Sequence, residues 1–180
     1  MIRLPLLSAV VLAALTAAAC VSPSLGPPPP GRARPPAPPA VFSPADFAWS
    51  QKPGRNGIAG HVVYSQGSTR FSCSGAGVVL TPETRWSRSR MAALYGSVER
   101  AALPAAEVRA RTPGAPAGDA GPFVKRTTCD SQDRFSFSGL PDGAWYAIVL
   151  ARPAGQPRAE GVALMRRVVT RGGRVTALDL

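Results

Sequence analysis

The sequence predicts an all-β sandwich, and three observations carry that expectation. Seven short segments rich in β-branched and aromatic residues follow one another between residue 57 and Leu180, separated at short spacing by Gly, Pro and Asp. In one of them, Arg134-Phe135-Ser136-Phe137-Ser138, polar and apolar residues alternate strictly, which sets both phenylalanines on one face of a strand. A single stretch departs from the β texture, from Pro82 to about Arg111, helical at first and then irregular.

Residues 1–19 read as a secretory signal. Arg3 gives the positive start, Leu4 to Leu15 the apolar stretch, and Ala17-Ala18-Ala19 the small residues before a cleavage site. The apolar run is short for a membrane span, which takes roughly 20 residues, so an uncleaved anchor helix is the lesser alternative. Cys20 follows directly. Ala17-Ala18-Ala19-Cys20 resembles the lipobox of bacterial lipoproteins, with Ala17 where that family usually has leucine. The resemblance implies a diacylglycerol on the Cys20 thiol, removal of the leader and acylation of the new amino terminus. One acyl chain holds only marginally, whereas several together hold firmly, so a triacylated Cys20 is a stable anchor. Val21 stands where such lipoproteins carry Asp when retained at the inner membrane. The expected location is therefore the outer membrane, facing the periplasm.

Residues 20–56 link the anchor to the fold. From Val21 to about Ala40 the chain is a Pro-rich tether with little to bury, a disordered but semi-rigid spacer. Phe42, Phe47 and Trp49 are then expected to pack onto the fold, ahead of a turn cluster from Lys52 to Gly57. The sandwich domain covers 57–180, with strands expected at 57–65, 75–82, 123–130, 134–139, 144–152, 162–170 and 174–180. In the last, Val175, Ala177 and Asp179 share one face and Thr176, Leu178 and Leu180 the other, so neither face is purely polar. An insertion of about 82–122 separates the second strand from the third. Thr81 reads as its N-cap, with Pro82 at the first helical position, and the helix ends at Leu94 or Tyr95 before Gly96. Beyond it the chain reads as loop.

Three cysteines in an exported protein leave one over after pairing. A lipidated Cys20 explains the odd one. Cys73 and Cys129 then form a disulfide in an oxidising compartment, or else remain two buried thiols. A bridge closing a loop of 56 residues at the base of the insertion is worth about 4 kcal/mol at most. The net charge is +11, almost all of it from arginine. For an exported protein the available polyanions are lipid head groups, lipopolysaccharide phosphates and peptidoglycan carboxylates rather than nucleic acid. A solvated basic surface with no partner is the competing account.

The stretch Thr127 to Arg152 carries a second pattern. Thr128, Asp130, Phe135, Phe137, Gly139, Leu140, Pro141, Gly143 and Tyr146 resemble the carboxypeptidase regulatory-like family, with its Thr-Asp turn, Phe-x-Phe strand and Gly-Leu-Pro-x-Gly-x-Tyr. The resemblance covers about Gly57 to Leu180 and implies a seven-stranded, transthyretin-like (prealbumin-like) Greek-key sandwich, with 162–180 as its closing hairpin. Leu140 is expected to plug the sandwich while Pro141 and Gly143 turn the chain. Asp133 stands where the family has glycine, and Asp tolerates the left-handed backbone better than most residues.

Candidates for chemistry are few. The only histidine is His61, in the first predicted strand. Enzymes on similar folds, the transthyretin-like hydroxyisourate hydrolases and the intradiol dioxygenases, use more histidines than this. A hydrolase built on His61 lacks a recognisable nucleophile elbow. Asp130 to Asp133 reads as a polar turn rather than a calcium loop, and Cys73, Cys129 and His61 are too few for zinc, so no metal or cofactor is expected. Trp86 and Tyr95 with Arg85 and Arg88 form a candidate patch for stacking sugars or holding anions, the alternative being an amphipathic cover over a sheet. The first expectation for function is a non-enzymatic, membrane-anchored envelope protein, structural or protein-binding. The alternatives are a carbohydrate- or peptidoglycan-binding module, and an accessory to a separate envelope enzyme.

Overall fold

The computed structural model describes residues 40–180; the signal (1–19), Cys20 and the Pro-rich tether up to residue 39 lie outside the described residues. Strand β8 (Gly143–Pro153) organises the rest, because its alternation serves two cores at once. Trp145, Ala147, Val149 and Ala151 are buried on one face, while Tyr146 and Ile148 pack on the other. A strand apolar on both faces needs cover on both, and the fold supplies it.

In chain order the elements are a 3₁₀ helix (Pro44–Gln51), β1 (Asn56–His61), β2 (Ser65–Gln66), β3 (Thr69–Ser72), β4 (Gly77–Pro82), α1 (Arg85–Tyr95), β5 (Arg100–Pro104), α2 (Ala105–Arg111), β6 (Lys125–Thr128), β7 (Arg134–Leu140), β8, β9 (Val162–Thr170) and β10 (Val175–Asp179). Two further 3₁₀ turns, Thr112–Gly114 and Gly121–Phe123, lie between α2 and β6. One sheet has the order β10-β1-β7; the other has seven strands, with β4 and β6 to one side of β8, β9 and β5 to the other, and β3 and β2 at its end. Ile58, Phe135, Phe137 and Leu178 from the small sheet meet Val78, Leu80, Trp145, Val149 and Leu164 from the large one. The Phe135–Phe137 face expected from alternation is thus the core face. On the outer side of the large sheet, Met91, Leu94 and Tyr95 of α1 cover Tyr146, Ala163 and Met165.

All seven expected strands are present, and the architecture is a mostly β sandwich. The structure adds β2, β3 and β5, which makes ten strands among the described residues. Strand β5 and helix α2 lie in the stretch expected to be loop. Arg100 to Pro104 is short and alanine-rich, with weak strand propensity of its own; pairing along β9 and burial of Ala101 and Leu103 against α1 decide its state. Helix α1 begins three residues later than expected. Thr81 and Pro82 stay in β4, opposite Tyr146 and Trp145, and Thr84 is the cap. The Thr84 hydroxyl accepts from Ser87 N, and Ser87 Oγ accepts from Thr84 N, a reciprocal capping box. The helix stops at Gly96, as expected, in a left-handed conformation. Finally, β9 and β10 are not a hairpin. The turn from Arg171 to Arg174 crosses between sheets, and β10 runs parallel to β1, from Gly57↔Val175 to His61↔Asp179.

Cys73 and Cys129 are joined, with Cα atoms 5.7 Å apart and both residues buried, so the free-thiol alternative falls away. The bridge sits where β4 and β6 begin to pair, at the base of the excursion containing both helices. Asp133 has φ 61° and is 3 % exposed. Its carboxylate does more than tolerate the turn: Oδ1 accepts from Ser72 Oγ at 2.6 Å and from Cys73 N at 2.8 Å.

Candidate functional site

The residues predicted to form a binding patch on α1 are not a surface patch. Trp86 is 2 % exposed, packed edge-on against Phe42 and Phe47, with the Arg90 guanidinium 5.5 Å from its ring centre. Its Nε1 donates to Ala117 O at 2.9 Å. Tyr95 lies in the second core, where burial pushes its phenol up to about 12 against a weaker opposite pull from Arg90. Arg88 is engaged by Glu83 at 2.7 Å, and Arg85 is exposed. The indole is covered because Phe42 and Phe47 fold back over it, a long-range contact with no local signature.

Glu83 anchors the start of α1 to the sheet. It receives Arg167 Nε at 2.6 Å, Arg88, and the Tyr146 hydroxyl at 3.2 Å. Burial, and next the charge of Glu83, push the Tyr146 phenol up to about 12. Arg167 also reaches Glu99 at 3.9 Å, so two carboxylates and two arginines tie α1 to β9 as a clamp. His61 is half-buried in β1, aligned with Asp179 and Arg134. Asp130 accepts from Gln132 N and Arg134 N, both at 2.8 Å, and these bonds hold its carboxyl below the usual range. Among the described residues no group of three or more His, Cys, Asp or Glu is placed to hold a metal ion.

A cleft forms instead at the end of the sandwich where β1 begins. The 3₁₀ helix Pro44–Gln51 builds one wall. It sends Phe47 into the aromatic cluster, stacked on Phe123 at 4.9 Å, and Trp49 toward β8, edge-on to Trp145 at 4.9 Å. Two glycines make this fit possible. A Cβ on Gly143 would sit 2.1 Å from Cζ3 of Trp49, and one on Gly54 would sit 1.9 Å from Leu140 O. The segment after Trp49 therefore lies flush on the β7–β8 turn, with Gly54 N donating to Gly139 O at 3.2 Å. Leu140 beneath it is fully buried, in the plugging position expected of it.

Asn56 holds the floor. Its Nδ2 donates to Leu140 O and to Asp142 Oδ1, both at 2.9 Å, and its Oδ1 accepts from Gly173 N at 2.8 Å and Arg174 N at 3.2 Å. Asp142 Oδ1 also accepts from Gly172 N at 3.2 Å. One buried amide thus ties three segments together through all of its polar capacity, which fixes the cleft's shape in advance. The cleft, of about 560 Å³, is lined by half-buried Trp49 with Lys52, Arg55, Asn56, Asp142 and the Gly172–Gly173 turn. A second hollow of about 640 Å³ shares Gly172 and brings in Arg171, Arg174, Val169 and Val175.

The arrangement offers an indole beside a carboxylate and several cationic donors, on a rigid base. That is equipment for a ligand with an apolar face and many hydroxyls. In the sequence Trp49 reads only as a packing residue and Asn56 only as part of a turn. The available signal was their proximity: a tryptophan followed within seven residues by Lys52, Arg55 and Asn56.

No family model and no curated protein matches the chain. Among solved structures it is similar to a Pseudomonas aeruginosa protein that bears the provisional name of a carbohydrate-binding protein. The two are 23% identical, with a TM-score of 0.54, and the match covers 77% of this chain and 97% of that one; what they share is the fold.

Proposed function

We propose that this chain is a non-enzymatic envelope lipoprotein, held at the outer membrane through Cys20, whose transthyretin-like sandwich binds a carbohydrate at the Trp49 cleft. The observation that carries the binding assignment is the half-buried Trp49 set beside Asp142, Lys52 and Arg55 over a floor locked by Asn56. An aromatic ring takes the apolar face of a pyranose, and the flanking polar groups fix its hydroxyls. The lining holds one carboxylate, whereas most glycosidases use two. This favours retention of a sugar over its cleavage. The reading moves carbohydrate binding ahead of the purely structural or protein-binding role, and moves the site from Trp86 to Trp49. The name carried by the Pseudomonas aeruginosa protein points the same way. The position of Gly139-Leu140-Pro141 at the β7–β8 turn supports the transthyretin-like assignment.

The test is titration of the full chain, in mild detergent, with neutral and acidic oligosaccharides. Trp49→Ala should abolish binding, and Trp49→Phe, which keeps a ring against Trp145, should weaken it only partly. Unchanged binding in Trp49→Ala would overturn the site. The anchor is tested separately by intact mass: a chain beginning at Cys20 and carrying diacylglycerol and an acyl group supports it, and an unmodified Cys20 refutes it.

A further inference from the structure

We infer that the ligand of the Trp49 cleft is an anionic glycan, one whose sugars carry carboxylate or phosphate groups. The inference rests on the carbohydrate-binding reading above and goes on to the charge of the ligand. Four cations, Lys52, Arg55, Arg171 and Arg174, line the two adjoining hollows. None of the four is ion-paired among the described residues, while Arg70, Arg88, Arg111 and Arg167 each meet a carboxylate. Asp142, the one acid of the two linings, offsets a single charge, so four cations face one carboxylate and the lining is net positive.

The four charges come from two segments. Lys52 and Arg55 lie on the strap after the 3₁₀ helix, and Arg171 and Arg174 flank the Gly172–Gly173 turn. Gly172 and Gly173 both have φ near +70°, at 68° and 69°, which turns their amides inward to Asp142 and Asn56. The strap and the turn are joined through the same Asn56 side chain. Cations carried on two tied segments around adjoining hollows, with an indole in one of them, suit a chain of sugars bearing repeated negative charge. Arginine's planar fork matches both carboxylate and phosphate oxygens.

The experiment is calorimetric titration of the full chain with an oligogalacturonate, a neutral chito-oligosaccharide of equal length and a sugar phosphate. The uronate or the phosphosugar should bind about tenfold more tightly than the neutral oligomer, with the gap narrowing as salt rises. The two anionic probes distinguish carboxylate from phosphate as the preferred group. Arg171→Ser/Arg174→Ser, in the second hollow, should remove the preference and leave neutral-sugar binding in place. Arg85→Ser/Arg109→Ser, which removes equal charge from the helices, should leave the preference intact. Equal affinity for neutral and anionic sugars would overturn this inference while sparing the carbohydrate reading. Equal loss in the helix control would show net charge, not the cleft, to be responsible, and would also overturn it. Absence of binding to all three sugars would overturn both.

Discussion

Asp133 offers the sharpest test of how this fold is held. The residue sits at φ 61°, is 3 % exposed, and accepts from Ser72 Oγ at 2.6 Å and Cys73 N at 2.8 Å. Arg70 approaches at 3.4 Å, but its side chain is 72% exposed, so it adds about 0.5 kcal/mol or less. Replacement by glycine meets the backbone requirement and deletes the acceptors. A buried Cys73 N–H without a partner, together with the lost charged bonds, costs about 2–3 kcal/mol. Replacement by alanine loses the same bonds and adds about 1 kcal/mol for the left-handed backbone. Asparagine tolerates that backbone and keeps a neutral acceptor, so its cost is about 1 kcal/mol. The expected order of stability is Asp, Asn, Gly, Ala. Urea unfolding of the full chain, disulfide intact and followed by tryptophan fluorescence, resolves it: at a slope of about 2 kcal/mol per molar, Asp133→Gly shifts the midpoint down by about 1–1.5 M. An Asp133→Gly protein as stable as the parent would show that only the turn conformation matters and that the carboxylate contacts contribute nothing.

Other consequences follow from single features of the fold. Cys73→Ser/Cys129→Ser should lose up to about 4 kcal/mol in the same assay, and a loss under about 1 kcal/mol would mean that the β4–β6 pairing holds the excursion unaided. Trp86→Ala should destabilise by about 3–5 kcal/mol, and Trp86→Phe by less, with glycan affinity unchanged in whatever protein remains folded; a selective loss of binding at normal stability would restore Trp86 as a ligand contact. Tyr95 and Tyr146 are both pushed up to about 12, mainly by burial. Because the folded state favours their neutral forms, that stabilisation is complete below about pH 10, the unfolded value, and is lost as pH rises from there to about 12, where the unfolded chain gives up its phenolic protons first. Urea midpoints should fall across that interval, and a flat profile would mean that both phenols ionise normally.

Much of this protein was decided by short-range features of its sequence. Alternation at Arg134 to Ser138 fixed which face of β7 is buried, because the side-chain period of a strand is two whatever the strand later pairs with. Gly96 ended α1 because few other residues enter the left-handed region so readily, and the spacing of Gly, Pro and Asp cut the chain into the seven segments that became strands. Leu140 was visible in its local motif, whereas the Cys73–Cys129 pair, 56 residues apart, followed from the cysteine count and was settled by the fold. Tertiary structure decided the rest. Whether Arg100 to Pro104 became strand depended on β9 lying alongside it. The closing segments joined different sheets because β10 found β1, 118 residues away at Gly57↔Val175, as a parallel partner. Trp86 and Trp49 look alike as sequence, and only packing separated them: Phe42 and Phe47 close over the first, while Gly143 and Trp145 seat the second at the edge of a cleft. The physical reason is common to all three. Backbone conformation and side-chain alternation are set within a few residues, but partner choice and solvent exposure are set by neighbours that arrive from elsewhere in the chain.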